Sequence, residues 1–62
     1  MPRKLLTTAE VAERLRKPVS TLRYYRHIGI GPRSARVGRT VVYDEADVDA
    51  WVDEQFSLEG GD

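Results

Sequence analysis

Ser20, Arg23, Tyr24 and His27 recur at the three- and four-residue spacing that lines side chains up on one face of a helix. Advancing about 100° per residue from Leu22 places these four opposite Leu22 and Tyr25, with Arg26 on the flank. The outward face then offers a hydroxyl, a guanidinium, a phenol and an imidazole. That set can hydrogen-bond base edges and neutralise phosphates, whereas a merely solubilising face more often carries Glu and Lys. Arg23 suits a base edge, bidentate to guanine, with a phosphate contact as its alternative. Tyr24 suits a phosphate or a thymine methyl. His27 has no partner at metal-ligand spacing, which leaves it a neutral surface or phosphate-side residue. Lys17, Arg33 and Arg36 are further phosphate partners, and Arg39 stands at a turn where it can reach DNA beside Thr40.

Length and composition restrict the other chemistries. Sixty-two residues make one small domain. Chains of that size bury only about 60% of their unfolded surface, which leaves little apolar material to enclose a substrate pocket. With no cysteine there is no disulfide, thiolate zinc site or cysteine nucleophile. The acids of the last segment fan around solvent instead of converging, so neither an enzyme nor a bound cofactor or metal is expected. No apolar run is long enough for a membrane span, and no secretory signal opens the chain. The absence of cysteine and of a signal fits a reducing cytoplasm.

A net charge of zero conceals a polarised chain. All ten basic residues lie in positions 1–43, opposed there only by Glu10 and Glu13, while residues 44–62 carry eight acids and no cation. The basic part should attract a polyanion and the acidic part should turn away from it.

The elements that must position these residues are short. Thr7-Thr8-Ala9-Glu10 has the form of a capping box, and Leu6 can staple onto Val11. A helix follows from about Thr8 to Arg16, with Val11, Ala12 and Leu15 as its apolar stripe. Pro18 ends it. Ser20 reads as the cap of a second helix through about Ile28, closed by Gly29. Two short helices around a tight turn form a helix-turn-helix. Residues 34–43 read as a hairpin. A two-residue tip would pair Val37 with Thr40; a three-residue tip pairs Val37 with Val41 and Ala35 with Tyr43. The second is preferred because it gathers the apolar side chains on one face and turns Arg36 away from it. Asp44 caps a closing helix from about Glu45 to Gln55 whose inward stripe is Val48, Trp51, Val52 and Gln55. The expected architecture is a small α+β winged helix-turn-helix over residues 1–56: two helices, a two-stranded wing and a closing helix. Residues 57–62 are expected to form a frayed tail.

Leu6-Thr7-Thr8-Ala9-Glu10-Val11-Ala12, Ser20-Thr21-Leu22-Arg23-Tyr24-Tyr25, Val37-Gly38-Arg39 and Tyr43-Asp44-Glu45-Ala46-Asp47-Val48-Asp49-Ala50-Trp51-Val52 resemble, in order and spacing, the excisionase-type, MerR-like DNA-binding domains. The resemblance implies that Ser20, Thr21, Arg23 and Tyr24 belong to a helix in the major groove. It also implies that the Arg39 tip touches an adjacent minor groove or backbone. The family holds phage excisionases (recombination directionality factors), which bend attachment-site DNA so that a tyrosine integrase excises, and small transcriptional regulators. Neither the long dimerisation helix nor the effector domain of full MerR regulators is expected, which favours an architectural role over a sensor. A domain this small reads few base pairs, so it is expected to bind cooperatively. The acidic closing segment of one copy would lie on the basic part of the next in an open head-to-tail array, with a tyrosine integrase as a further partner.

Overall fold

A computed structural model describes residues 3–60 and orders them as β1 (Leu5–Thr7), α1 (Thr8–Leu15), α2 (Val19–Ile28), β2 (Ser34–Val37), β3 (Thr40–Asp44) and α3 (Glu45–Gly60). The strands form one antiparallel sheet in the order β1-β3-β2. The result is a small α+β fold with the expected helix pair, wing and closing helix. Among the described residues, no helix is long and apolar enough to cross a membrane.

The capping box forms as the spacing predicts. The Glu10 amide donates to Thr7 Oγ1 at 3.1 Å, and the Thr7 amide donates to Glu10 Oε1 at 2.8 Å. Leu6 and Val11 share the core with Ala12, Leu22, Tyr43 and Val48, against which Leu15, Val19 and Val41 pack. α1 stops at Leu15, one residue before its expected end, because Arg16 turns left-handed at φ +58°. The Arg16 amide then reaches the Glu13 carbonyl and the Lys17 amide the Ala12 carbonyl. Those two bonds make a Schellman cap built without glycine, on a side chain that disfavours this conformation by about 1–2 kcal/mol.

Ser20 does not cap α2. Pro18 holds that position in extended conformation, and its carbonyl accepts the Thr21 amide at 3.0 Å. Proline lacks an amide and sets its own φ, so it tolerates a helix start two residues earlier than the serine signal implies. Gly29 closes α2 at φ +81°, as expected.

The hairpin register differs from the preferred one. Val37 pairs with Thr40, Ala35 with Val42 and Ser34 with Tyr43, around a two-residue tip of Gly38 and Arg39. Gly38 adopts φ +63° and Arg39 has no positive φ. That is the pattern of a type II′ turn, whose twist matches the strands it joins. Turn geometry therefore outweighs the gathering of apolar side chains. Ala35 and Val37 share the outer face with Val42, while Arg36, opposite Val41, shares the face of Val41 and Tyr43 instead of pointing away from it. The sheet also has a third strand, because β1 pairs Leu6 with Tyr43 and Thr7 with Val42.

α3 continues to Gly60, past the expected stop at Gln55, so residues 57–60 are helical instead of tail. Asp44 Oδ1 accepts the Ala46 amide at 2.9 Å at its start. Val48 is buried and Trp51, Val52 and Gln55 half-buried, which is the expected inward stripe. Trp51 packs on Tyr25 with ring centroids 6.3 Å apart and planes tilted by 51°.

Gly31 fits a tight place against the same Tyr25. Its φ is +84°, and a Cβ there would lie 3.1 Å from Tyr25 Cδ2 and 3.2 Å from Tyr25 Cβ. Gly31→Ala is therefore expected to lower stability by about 2 kcal/mol, from backbone strain plus displacement of the ring. The midpoint of urea unfolding measures it.

Candidate nucleic-acid interface

Leu22 is fully buried against the core, so the opposite face of α2 must look outward. Ser20, Arg23, Tyr24 and His27 are all exposed there, Tyr24 with 59% of its surface accessible. Thr21 and Arg26 are half-buried on the two flanks and present less of themselves. Lys17 is exposed in the turn before α2, and Arg36, Arg39 and Thr40 are exposed at the tip end of the β2–β3 hairpin. The expected site residues thus lie on the outward side of α2 and its flanks, in the turn leading into it and at the hairpin end, except Arg33, which is exposed in the loop before β2.

The polarised charge is used in two ways. Arg14 donates to Glu45 at 3.0 Å and to Asp49 at 3.3 Å, tying α1 to α3. Arg3 lies 2.7 Å from Asp44, and Lys4 lies 3.8 Å from Glu45. The Lys4 carbonyl also accepts the Glu45 amide at 2.9 Å, so the chain start is pinned to the start of α3. Three cations of the basic part thus hold the acidic part in place, and the separation is not the complete turning-away that the sequence implies. Among the described residues, Arg16, Lys17, Arg23, Arg26, Arg33, Arg36 and Arg39 have no carboxylate within 4.0 Å. These seven hold the charge available to a polyanion.

Tyr43 underlies this surface. It is 1% exposed, and burial raises its pKa above the ordinary value, opposed by the charge of Arg26 and then by the Thr8 hydroxyl. The phenol is consequently a neutral hydrogen-bond donor. Among the described residues its hydroxyl has no hydrogen-bond partner.

Residues 5–55 match the family described as helix-turn-helix domain. The chain belongs to that family. No match was found among curated proteins or solved structures. The helix-turn-helix domain gives the geometry its meaning: α1 and α2 are the paired helices, and DNA is the partner. Sequence reasoning did not single out Arg16, Thr8 or Tyr43. A left-handed arginine in the turn between the two helices has no residue-type signal. The place of Tyr43 opposite Leu6 depends on β1, a strand too short to show alternation.

Proposed function

We propose that this helix-turn-helix domain is an excisionase, a recombination directionality factor of a phage or prophage in a bacterial cytoplasm. On this reading it loads cooperatively on attachment-site DNA, bends it and directs a tyrosine integrase toward excision. The observation that carries the reading is the distribution of unpaired charge. Among the described residues, seven cations without a carboxylate partner lie on the turn, α2, the loop after it and the hairpin, while Asp53, Glu54 and Glu59 have no cation partner on α3 beside Phe56 and Leu58, which are 73% and 74% exposed. Such a molecule has one surface for DNA and another, acidic and apolar, for a neighbouring copy or the integrase. The motif resemblance over residues 5–53 supports the same assignment.

Ser20, Thr21, Arg23 and Tyr24 enter the major groove on this reading. Arg39, with Thr40, Arg36 and Lys17, grips the backbone or an adjacent minor groove. His27 and Arg26 face the phosphates beside α2. Head-to-tail contact sets the acidic end of α3 on the basic surface of the next copy, which gives an open array.

A gel-shift titration with circularly permuted fragments, taken from around the protein's own gene and any neighbouring attachment site, tests the proposal. A ladder of cooperative complexes with position-dependent mobility is expected. A single unbent complex would instead make the chain a small transcriptional regulator acting at one operator. Charge reversal at Asp53 and Glu54 is expected to weaken cooperativity and leave single-site affinity intact; Asp49, held by Arg14, is a poorer site for that experiment.

A further inference from the structure

A groove of about 430 Å³ lies between the end of α1, the turn that follows it, α2 and α3. Leu15, Tyr25, Trp51 and Val52 make it apolar. Arg16 and Lys17 also line it and have no carboxylate within 4.0 Å among the described residues. Arg14, beside them, is committed to Glu45 and Asp49. Arg16 is the residue held left-handed at φ +58°. Glycine would close α1 there without strain, so the cap itself gives no reason for an arginine. A side chain kept in a strained conformation points to a task of its own, and this one borders the groove. An apolar groove with basic walls suits a segment that is acidic and apolar.

The chain carries such a segment. Phe56 and Leu58 continue the inward stripe of α3, four residues after Val52 and three after Gln55, yet are 73% and 74% exposed. Asp53, Glu54 and Glu59 flank them without a cation partner among the described residues, and no Lys or Arg follows Arg39 in the sequence. Phe56 also lines the groove. The basic groove and the acidic, apolar helix end therefore adjoin on one patch, and a patch that carries its own complement is satisfied by a two-fold axis.

We infer that two copies pair through this patch, each protomer laying about the last two turns of its α3 in the groove of its partner. Phe56 and Leu58 of one protomer cover the Trp51 side of the other's groove, and the acids beside them meet Arg16 and Lys17. Such a contact closes, so assembly stops at two. It occupies the end of α3 that an open array would use, which makes the pair the form held away from DNA, and it does not depend on the DNA-binding reading. One groove and two helix turns make a small interface, so the pair is weak and dissociates on dilution.

The test is sedimentation equilibrium of the full chain without DNA from about 10 μM to about 1 mM, with Trp51 emission read over the same series. Trp51 is the single tryptophan and lines the groove, so it reports on the contact itself. The mass is expected to rise from 7.0 kDa toward twice that value and stop, with emission moving to shorter wavelength at the same midpoint. Arg16→Gly is expected to weaken pairing about tenfold while dilute protein melts no earlier, because strain is relieved as the charge is lost. Leu58→Ser, at an exposed position, should weaken pairing with dilute melting unchanged. If either variant melts early, the other decides. A mass of 7.0 kDa throughout overturns the pair and leaves the groove to an acidic segment of another protein. A mass that climbs past two copies overturns the two-fold closure. Doubling with fixed Trp51 emission, or with the Arg16→Gly variant pairing like wild type, places the contact elsewhere and overturns it as well.

Discussion

Raising NaCl from about 50 to about 200 mM is expected to weaken binding to duplex DNA about a thousandfold. The fold leaves seven of the ten cations without a carboxylate partner among the described residues. Arg3, Lys4 and Arg14 are committed to Asp44, Glu45 and Asp49, so they contribute little to a polyanion. Of the seven others, Arg23 is assigned to a base edge and leaves six for phosphates. If five or six phosphates are neutralised, the counterions released give a log–log slope of roughly −5. A fourfold rise in salt at that slope is three orders of magnitude. Anisotropy titrations across the salt series measure it. Arg39→Ala should make the slope shallower by about 1 on every sequence. Arg3→Ala should leave it where it was, since that guanidinium already has its carboxylate. A slope near zero would mean that the free cations face something other than DNA.

How much of this was legible before the fold was known depends on the range of the forces involved. Thr7 and Glu10 cap each other across three residues, and Gly29 closes α2 on the spot, so both helices and the outward set of Ser20, Arg23, Tyr24 and His27 could be read from local spacing. Ser20 misled for an equally local reason: a good capping residue sits next to a proline that can start the helix sooner. The hairpin turned on a competition. Four apolar residues on one face argued for a wider tip, and the preference of Gly38 for positive φ prevailed by shifting the pairing one residue and sending Ala35 and Val37 outward. β1 needed tertiary knowledge, because three residues hold no period and only the free edge of β3 makes them a strand. It sets Leu6 opposite Tyr43, and no spacing within residues 5–10 reports that pairing. The charge split was visible as a count. Which cations it frees could be seen only once Arg14 was found on α3.

Leu22→Ala is expected to unfold the domain almost completely, while its neighbour Arg23→Ala leaves it folded. Leu22 is fully buried in a cluster that joins α1, α2, the sheet and α3. Removing its side chain costs about 2–5 kcal/mol, because the void it leaves is lined by groups held from several elements and cannot collapse. A core in a chain this short supplies only about 3–5 kcal/mol in total, so the loss consumes most of the stability. Circular dichroism should show little helix at room temperature and no cooperative melt. Arg23 is exposed one position along the same helix and has no ion pair to lose. Its replacement should keep stability within about 0.5 kcal/mol and cost about 1–3 kcal/mol of affinity at the cognate site. Binding to unrelated duplex should change less, because a base-edge contact is lost only where that base is present. Equal losses on cognate and unrelated DNA would reassign Arg23 to a phosphate. A cooperative melt in Leu22→Ala would mean that the cluster is supported by more than these elements, the first candidate being a second copy covering Phe56 and Leu58 on α3. Adjacent residues on α2 thus answer separate questions, since about 100° of rotation puts one in the core and the other toward the groove.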